Sequence, residues 1–183
     1  MIDNREKWPT LIQLAKQSIS EGNFTRAEAN CLGALAIAET YPPDDYHLAI
    51  TLELLSQIYF NLESYDHGAP VLTRFLEIYK RRLGEDHIDT ATIGQNLAIL
   101  YHCAGQLETA CSYYEWAVNS KTKILGESDK ETLSLRSSYE KLLSSMEHKD
   151  EDKVKRREMR RKGLTSTNQF DSISMDDITP SLN

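Results

Sequence analysis

The chain has 183 residues, 40% of them hydrophobic and 27% charged, the balance of a globular protein with a core of its own. Its net charge of −7 is uneven: residues 1–148 hold 13 Lys and Arg against 21 Asp and Glu, and residues 149–183 hold 8 against 7. An acidic body repels phosphate backbones, no apolar run nears the roughly 20 residues of a membrane-spanning helix, and residues 1–7 lack the form of a secretory signal; nucleic-acid, membrane and secretory classes are therefore set aside, and a cytoplasmic location is expected.

Apolar spacing predicts helices over 8–21, 24–40, 46–61, 65–83, 88–104, 107–125 and 129–148. Leu52, Leu55 and Tyr59 fall at i, i+3 and i+7, as do Ile93 (slightly displaced), Leu97 and Tyr101; Tyr65, Leu72, Phe75, Leu76 and Tyr79 form a second such stripe. Tyr41-Pro42-Pro43-Asp44-Asp45 breaks the chain before the third helix. Leu83-Gly84 and Leu125-Gly126 place glycine just past helix ends, and Ser128 with Glu131 reads as a capping box opening the seventh helix. Cys31, Cys103 and Cys111 are odd in number and have no metal-ligand spacing, so reduced thiols in or near helix packing are expected.

The strongest signal is internal repetition. Leu14, Leu55, Leu97 and Tyr139 are separated by 41, 42 and 42 residues. Tyr59, Tyr101 and Leu143 keep the same step, as do Gly22, Glu63 and Gly105; Phe24, Tyr65 and Leu107; Ala27, Gly68 and Ala110; and Ala34, Phe75 and Ala117. Each unit is a helix, a short turn and a second helix packed antiparallel to the first, with the small residue letting the pair approach closely.

The stretch Leu83-Gly84-Glu85-Asp86-His87-Ile88-Asp89-Thr90-Ala91, running on to Asn96-Leu97-Ala98-Ile99-Leu100-Tyr101, resembles the tetratricopeptide repeat in its roughly 42-residue kinesin-light-chain version, with Ile88 where proline is usual. Gly105–Ala110 and Tyr114-Glu115-Trp116-Ala117-Val118 match the second helix of that unit. The resemblance covers about residues 8–146 and implies an all-α superhelix of about three and a half helix-turn-helix repeats. The domain reading is a repeat domain over 1–148 (repeats 8–45, 46–87, 88–128 and 129–148), a basic helical extension over 149–163 and a disordered tail over 164–183. Stacked pairs bury one continuous core, and the first helices line the concave side.

Projected on that register, the groove presents Lys16, Glu53, Gln57, Asn61, Gln95, Asn96, Ile99, His102, Ser137, Ser138 and Lys141. Amides both donate and accept, which suits a bound peptide backbone. Asn96 matches the groove asparagine of the kinesin-light-chain signature, whereas Leu54 and Ser138 stand where sister repeats would carry asparagine. The carboxylate clamp of chaperone-binding repeats would fall on Ile12, Lys16, Leu54, Thr92 and Asn96, which retain only traces of its positive charge.

Nothing in the sequence points to catalysis or to a cofactor. His47, His67, His87, His102 and His148 are scattered outside any metal motif, His87 reading as a helix cap, and no glycine-rich loop is present to cradle phosphate. Tyr113, Tyr114 and Trp116 fall at core spacing. Residues 153–162 are basic and read as a solvated continuation of the last helix, with a nuclear-localisation or polyanion-binding patch as the sharper alternative. Residues 170–178 interleave apolar and acidic side chains like a docking peptide, with Ser172 and Ser174 open to phosphorylation. The expected partner is a protein or peptide segment held in the groove; the alternative is a second copy of the chain, stacked through exposed repeat edges.

Overall fold

The computed structural model describes residues 4–43 and 45–161. After a 3-10 turn, Asn4–Lys7, come seven α-helices: α1 Trp8–Ser20, α2 Phe24–Ala38, α3 Tyr46–Asn61, α4 Tyr65–Leu83, α5 Ile88–Cys103, α6 Leu107–Leu125 and α7 Lys130–Arg161. The described residues contain no strand. The all-α helix pairing read from the spacing, which the resemblance marks as tetratricopeptide-like, is therefore the observed one: α1 packs on α2, α3 on α4, α5 on α6, and each pair contacts the next.

The chain divides into two compact units, residues 1–143 and 144–183. In the first, most of the apolar repeat positions are buried. Leu52, Leu55, Leu72, Leu76, Leu97, Leu100, Ala27, Ala110, Ala34 and Ala117 are all closed to solvent or nearly so. Each fully buried leucine contributes on the order of 2 kcal/mol of apolar transfer free energy. Gly68 takes the small-residue place in the second repeat because a Cβ there would lie 2.9 Å from Leu100 Cδ1 and 3.3 Å from Tyr59 Cβ.

The intra-repeat turns show why the sequence carries glycine at one step of the period. Gly22 and Gly105 have φ of 73° and 74°, and Glu63, their counterpart, adopts φ 54° despite its side chain. A left-handed non-glycine residue costs about 1–2 kcal/mol, partly offset by the extra freedom glycine has when unfolded. Glu63→Gly is expected to stabilise the chain by about 0.5–1 kcal/mol, seen as a higher urea midpoint at unchanged slope. At the inter-repeat corners Gly84 and Gly126 have positive φ with extended ψ, a region reserved to glycine.

Four expectations are corrected. Asp129, not Ser128, opens α7: its carboxylate accepts from the backbone N–H of Glu131 at 2.8 Å and of Thr132 at 3.4 Å. Glu131 instead accepts from Lys121 Nζ at 2.9 Å, pairing with an ammonium that α6 carries into the interior. Asp129→Ala should therefore cost about 1 kcal/mol in thermal unfolding, while Ser128→Ala should stay within about 0.5 kcal/mol. Second, Leu14 is only half-buried; α1 instead turns Trp8, Ile12 and Ala15 inward. No described repeat precedes α1, so the side bearing Leu11 and Leu14 is covered on fewer sides than its counterparts.

Third, the last members of the register are incompletely covered. Tyr139 is half-buried, stacked on Tyr114 at 6.1 Å, and Leu143 is 37% exposed, because no eighth helix follows among the described residues. The chain has no turn at Glu147, one period after Gly105, since α7 extends to Arg161. Fourth, Cys103 is exposed rather than packed, whereas Cys31 is enclosed in the core with its thiol pushed up to about 12 by burial.

In the second unit, residues 144–161 continue α7 as a helix whose described side chains are exposed, save the half-buried Met146. Val154 and Met159 are the exposed large apolar side chains on it, and Lys155 lies 4.0 Å from Glu151 one turn earlier. The tail expected to be disordered, and the peptide-like stretch 170–178 within it, lie outside the described residues.

Candidate functional site

The first helices are held in place by their own N-terminal turns. Asp45 caps α3, accepting from the backbone N–H of His47 at 3.0 Å; that bond, with the adjacent His47 ring, holds the Asp45 carboxyl below the usual carboxylate range. The His47 ring stacks between Tyr41 and Tyr46, each at 4.0 Å, and meets the Trp8 ring edge-on at 4.4 Å. Trp8 Nε1 donates to Thr51 Oγ1 at 3.0 Å, and Thr51 donates on to the His47 carbonyl at 2.7 Å. These contacts bind α1 to the first two turns of α3. In α5 the cap is His87, as read from the sequence: its Nδ1 accepts from the Asp89 N–H at 3.2 Å.

Between α3 and α5 lies a cleft of about 340 Å³. Glu53, Ser56, Gln57 and Phe60 line it from α3; Asn96, Ile99 and Leu100 line it from α5; Leu72 of α4 reaches it from below. On α3 the lining residues recur at i, i+3, i+4 and i+7, one face of one helix. The floor is apolar and the rim is polar. The Gln57 and Asn96 amides have no hydrogen-bond partner among the described residues, and the exposed Glu53 carboxylate has no ion-pair partner there. Ser56 differs, since its hydroxyl already donates to the Glu53 carbonyl at 2.7 Å. Burial raises the nearby Tyr79 hydroxyl, and the charges of Glu53 and Asp89 raise it further, against Arg82.

Four residues expected in the groove, Glu53, Gln57, Asn96 and Ile99, thus meet in one cleft. Lys16 belongs to a separate hollow lined by Trp8, Pro9, Ile12, Gln13 and Gln17 of α1 and by Ile50 of α3. Asn61 is exposed one turn beyond Gln57 and donates to its carbonyl at 2.8 Å. Gln95 is half-buried, its Oε1 enclosed without a hydrogen-bond donor. His102 is exposed and lies edge-on to Tyr114 at 6.2 Å. Ser137 and Lys141 are exposed on α7, where the Ser138 hydroxyl donates to the Ser134 carbonyl at 3.1 Å; none of these three lines the cleft. Leu54 is buried, so an asparagine there would have little access to a guest.

Of the apolar lining, sequence reasoning found Ile99 and missed Phe60, Leu72 and Leu100. Phe60 is 43% exposed, and its signal was available: it is a large apolar residue at i+3 from Gln57, on the polar side of α3.

Such a surface can seat a side chain and pair with a backbone. Ser64 Oγ and His67 Nδ1 are 2.9 Å apart at the start of α4, one helical turn from each other. Among the described residues no cluster of three or more His, Cys, Asp or Glu could hold a metal ion, and no helix is long and apolar enough to cross a membrane.

Residues 48–123 match the tetratricopeptide repeat family. The Arabidopsis thaliana Protein KINESIN LIGHT CHAIN-RELATED 2 is 30% identical over 125 residues, covering 65% of this chain and 19% of that protein. KINESIN LIGHT CHAIN-RELATED 1 of the same plant is 26% identical over 147 residues, covering 70% and 24%. The chain therefore spans a quarter or less of the length of these relatives. Among solved structures, BtubC (BKLC) from P. vanneervenii superposes with a TM-score of 0.61 at 24% identity over 93% of this chain and 67% of that one. A Podosopora anserina protein of nearly identical TPR-like repeats gives 0.62 at 17% identity over 78% and 67%. Both likenesses are of fold. With the helix pairs, the period and the relatives in agreement, residues 48–123 are tetratricopeptide repeats, and the chain is similar to kinesin-light-chain-related proteins.

Proposed function

We propose that the chain is a protein-interaction adaptor whose first-helix wall holds a peptide or helix of another protein, and that it works in the cytoplasm without catalysing a reaction. The observation that carries this reading is the cleft between α3 and α5, where an apolar floor is bordered by two amides without hydrogen-bond partners among the described residues. A guest backbone would satisfy those amides while one of its side chains fills the floor. Binding through so few groups belongs near the micromolar range, about −8 kcal/mol. Residues 1–148 are the binding domain in this reading, and the basic residues that follow form a solvated extension.

Affinity capture with the full chain, followed by mass spectrometry, tests the proposal. Asn96→Ala and the double change Gln57→Ala with Asn61→Ala should each weaken recovered partners about tenfold, or about 1.4 kcal/mol. Partners retained unaltered by both variants would contradict the assignment of the wall.

A second reading, self-assembly through the repeat edge, has one observation in its favour. Leu133 and Leu143 of α7 are 49% and 37% exposed, whereas one period earlier Ala91 is fully buried and Tyr101 stacks on Tyr113 of α6. Sedimentation at several concentrations separates the two, since self-assembly would follow mass action.

A further inference from the structure

The charges beside the two hollows of the first-helix wall say more about the guest than that it is a peptide. Of the eight residues lining the α3–α5 cleft, Glu53 alone is charged, and among the described residues no cation pairs with it. The α1 hollow has the opposite character: Lys16 is the charged member of its lining, exposed beside the apolar Trp8, Ile12 and Ile50. Helix α3 contributes to both, Ile50 to the hollow and Glu53 to Phe60 to the cleft. At 1.5 Å rise per residue the two contributions are about 10 Å apart along α3, and crossing between neighbouring helices adds about as much again sideways. An extended chain covers roughly 10–15 Å in three to four residues.

Resting on the proposed binding role, we infer that the guest segment is bipolar. It places a large apolar side chain on the floor formed by Phe60, Leu72 and Leu100, with a Lys or Arg beside it for Glu53. Three to four residues away it carries an Asp or Glu for Lys16. A uniformly acidic guest is disfavoured twice, by the net −7 of the chain and by the Glu53 carboxylate at the rim. A uniformly basic guest would meet Lys16. Glu53 and Lys16 are both exposed, so each charge can be reversed without opening the core.

The test is a phage-displayed random dodecapeptide library panned on the full chain and on Glu53→Lys, Lys16→Glu and Asn96→Ala variants, each checked for native helicity. The wild type should enrich an aromatic or aliphatic residue next to Lys or Arg, with Asp or Glu three to four positions away. The consensus peptide should bind Glu53→Lys at least tenfold more weakly, and a peptide with its basic residue changed to Asp or Glu should restore binding. Peptides that depend on Asn96 yet keep their charges on Glu53→Lys would overturn the bipolar guest and leave the wall as the binding place. An acidic consensus at the Glu53 position would do the same. If no enriched peptide is sensitive to Asn96→Ala, the binding wall itself is wrong, and the bipolar guest falls with it.

Discussion

Gly94→Val should destabilise the chain by about 3 kcal/mol, more than any surface change in the repeats. Gly94 lies in the middle of α5, where glycine costs about 1 kcal/mol relative to alanine, so its presence needs a packing reason. That reason is Trp116 of α6: a Cβ on Gly94 would fall within the footprint of the indole, 2.6 Å from Cε3 and 3.1 Å from Cη2. The ring has little room to retreat, for it is half-buried and Lys80 Nζ lies over it at 4.9 Å from the centroid. Overpacking of this kind costs about 1–3 kcal/mol and sometimes more, and valine adds a second branch to the clash. Alanine is the informative control, because its helix gain of about 1 kcal/mol offsets part of the same clash and the net loss should be near 1 kcal/mol. Urea unfolding of the three proteins measures both; a valine variant as stable as the parent would mean that α5 and α6 do not approach as described.

Leu97→Ala should cost about 3 kcal/mol, within the range of about 2–5 for emptying a fully enclosed leucine site. Leu97 is closed to solvent, as is Leu55 one period earlier, and it sits between the second and third helix pairs. In a stacked array stability is close to a sum of unit and nearest-neighbour terms, so a cavity at such a junction weakens both the unit and its coupling to the next. Against a total of about 5–15 kcal/mol for a domain, the loss should appear as a large drop in Tm or as a second unfolding step. Leu133→Ala removes the same atoms from a site that is 49% exposed and should change stability by about 0.5 kcal/mol or less. Equal effects at the two leucines would contradict the register.

The contrast between those leucines shows what the sequence made legible. Where a repeat has neighbours on both sides, the period alone located the buried positions, as at Leu55, Leu97, Ala110 and Ala117. At the ends of the array the same period misplaced burial, at Leu14 and Leu143, because covering depends on the adjacent unit and not on the residue. Local chemistry was ambiguous where two capping residues stand side by side: Ser128 and Asp129 both fit, and the position of the first helical turn decides for Asp129. Half of the candidate site was legible for a similar reason. Polar positions on α3 and α5 follow from helical periodicity, which is how Glu53, Gln57 and Asn96 came together. The floor needs three elements, with Leu72 reaching in from α4, and periodicity within one helix does not report such a meeting.

Amide hydrogen exchange of the full chain, with and without a saturating peptide taken from the library selection, tests the account most directly. Protection should rise at the cleft segments, residues 53–60 of α3 and 96–100 of α5, while the second helices of the pairs, α2, α4 and α6, keep their free-state rates along their outer faces. Protection confined to those outer faces or to residues 144–161, with the cleft segments unmoved, would contradict a guest seated on the first-helix wall.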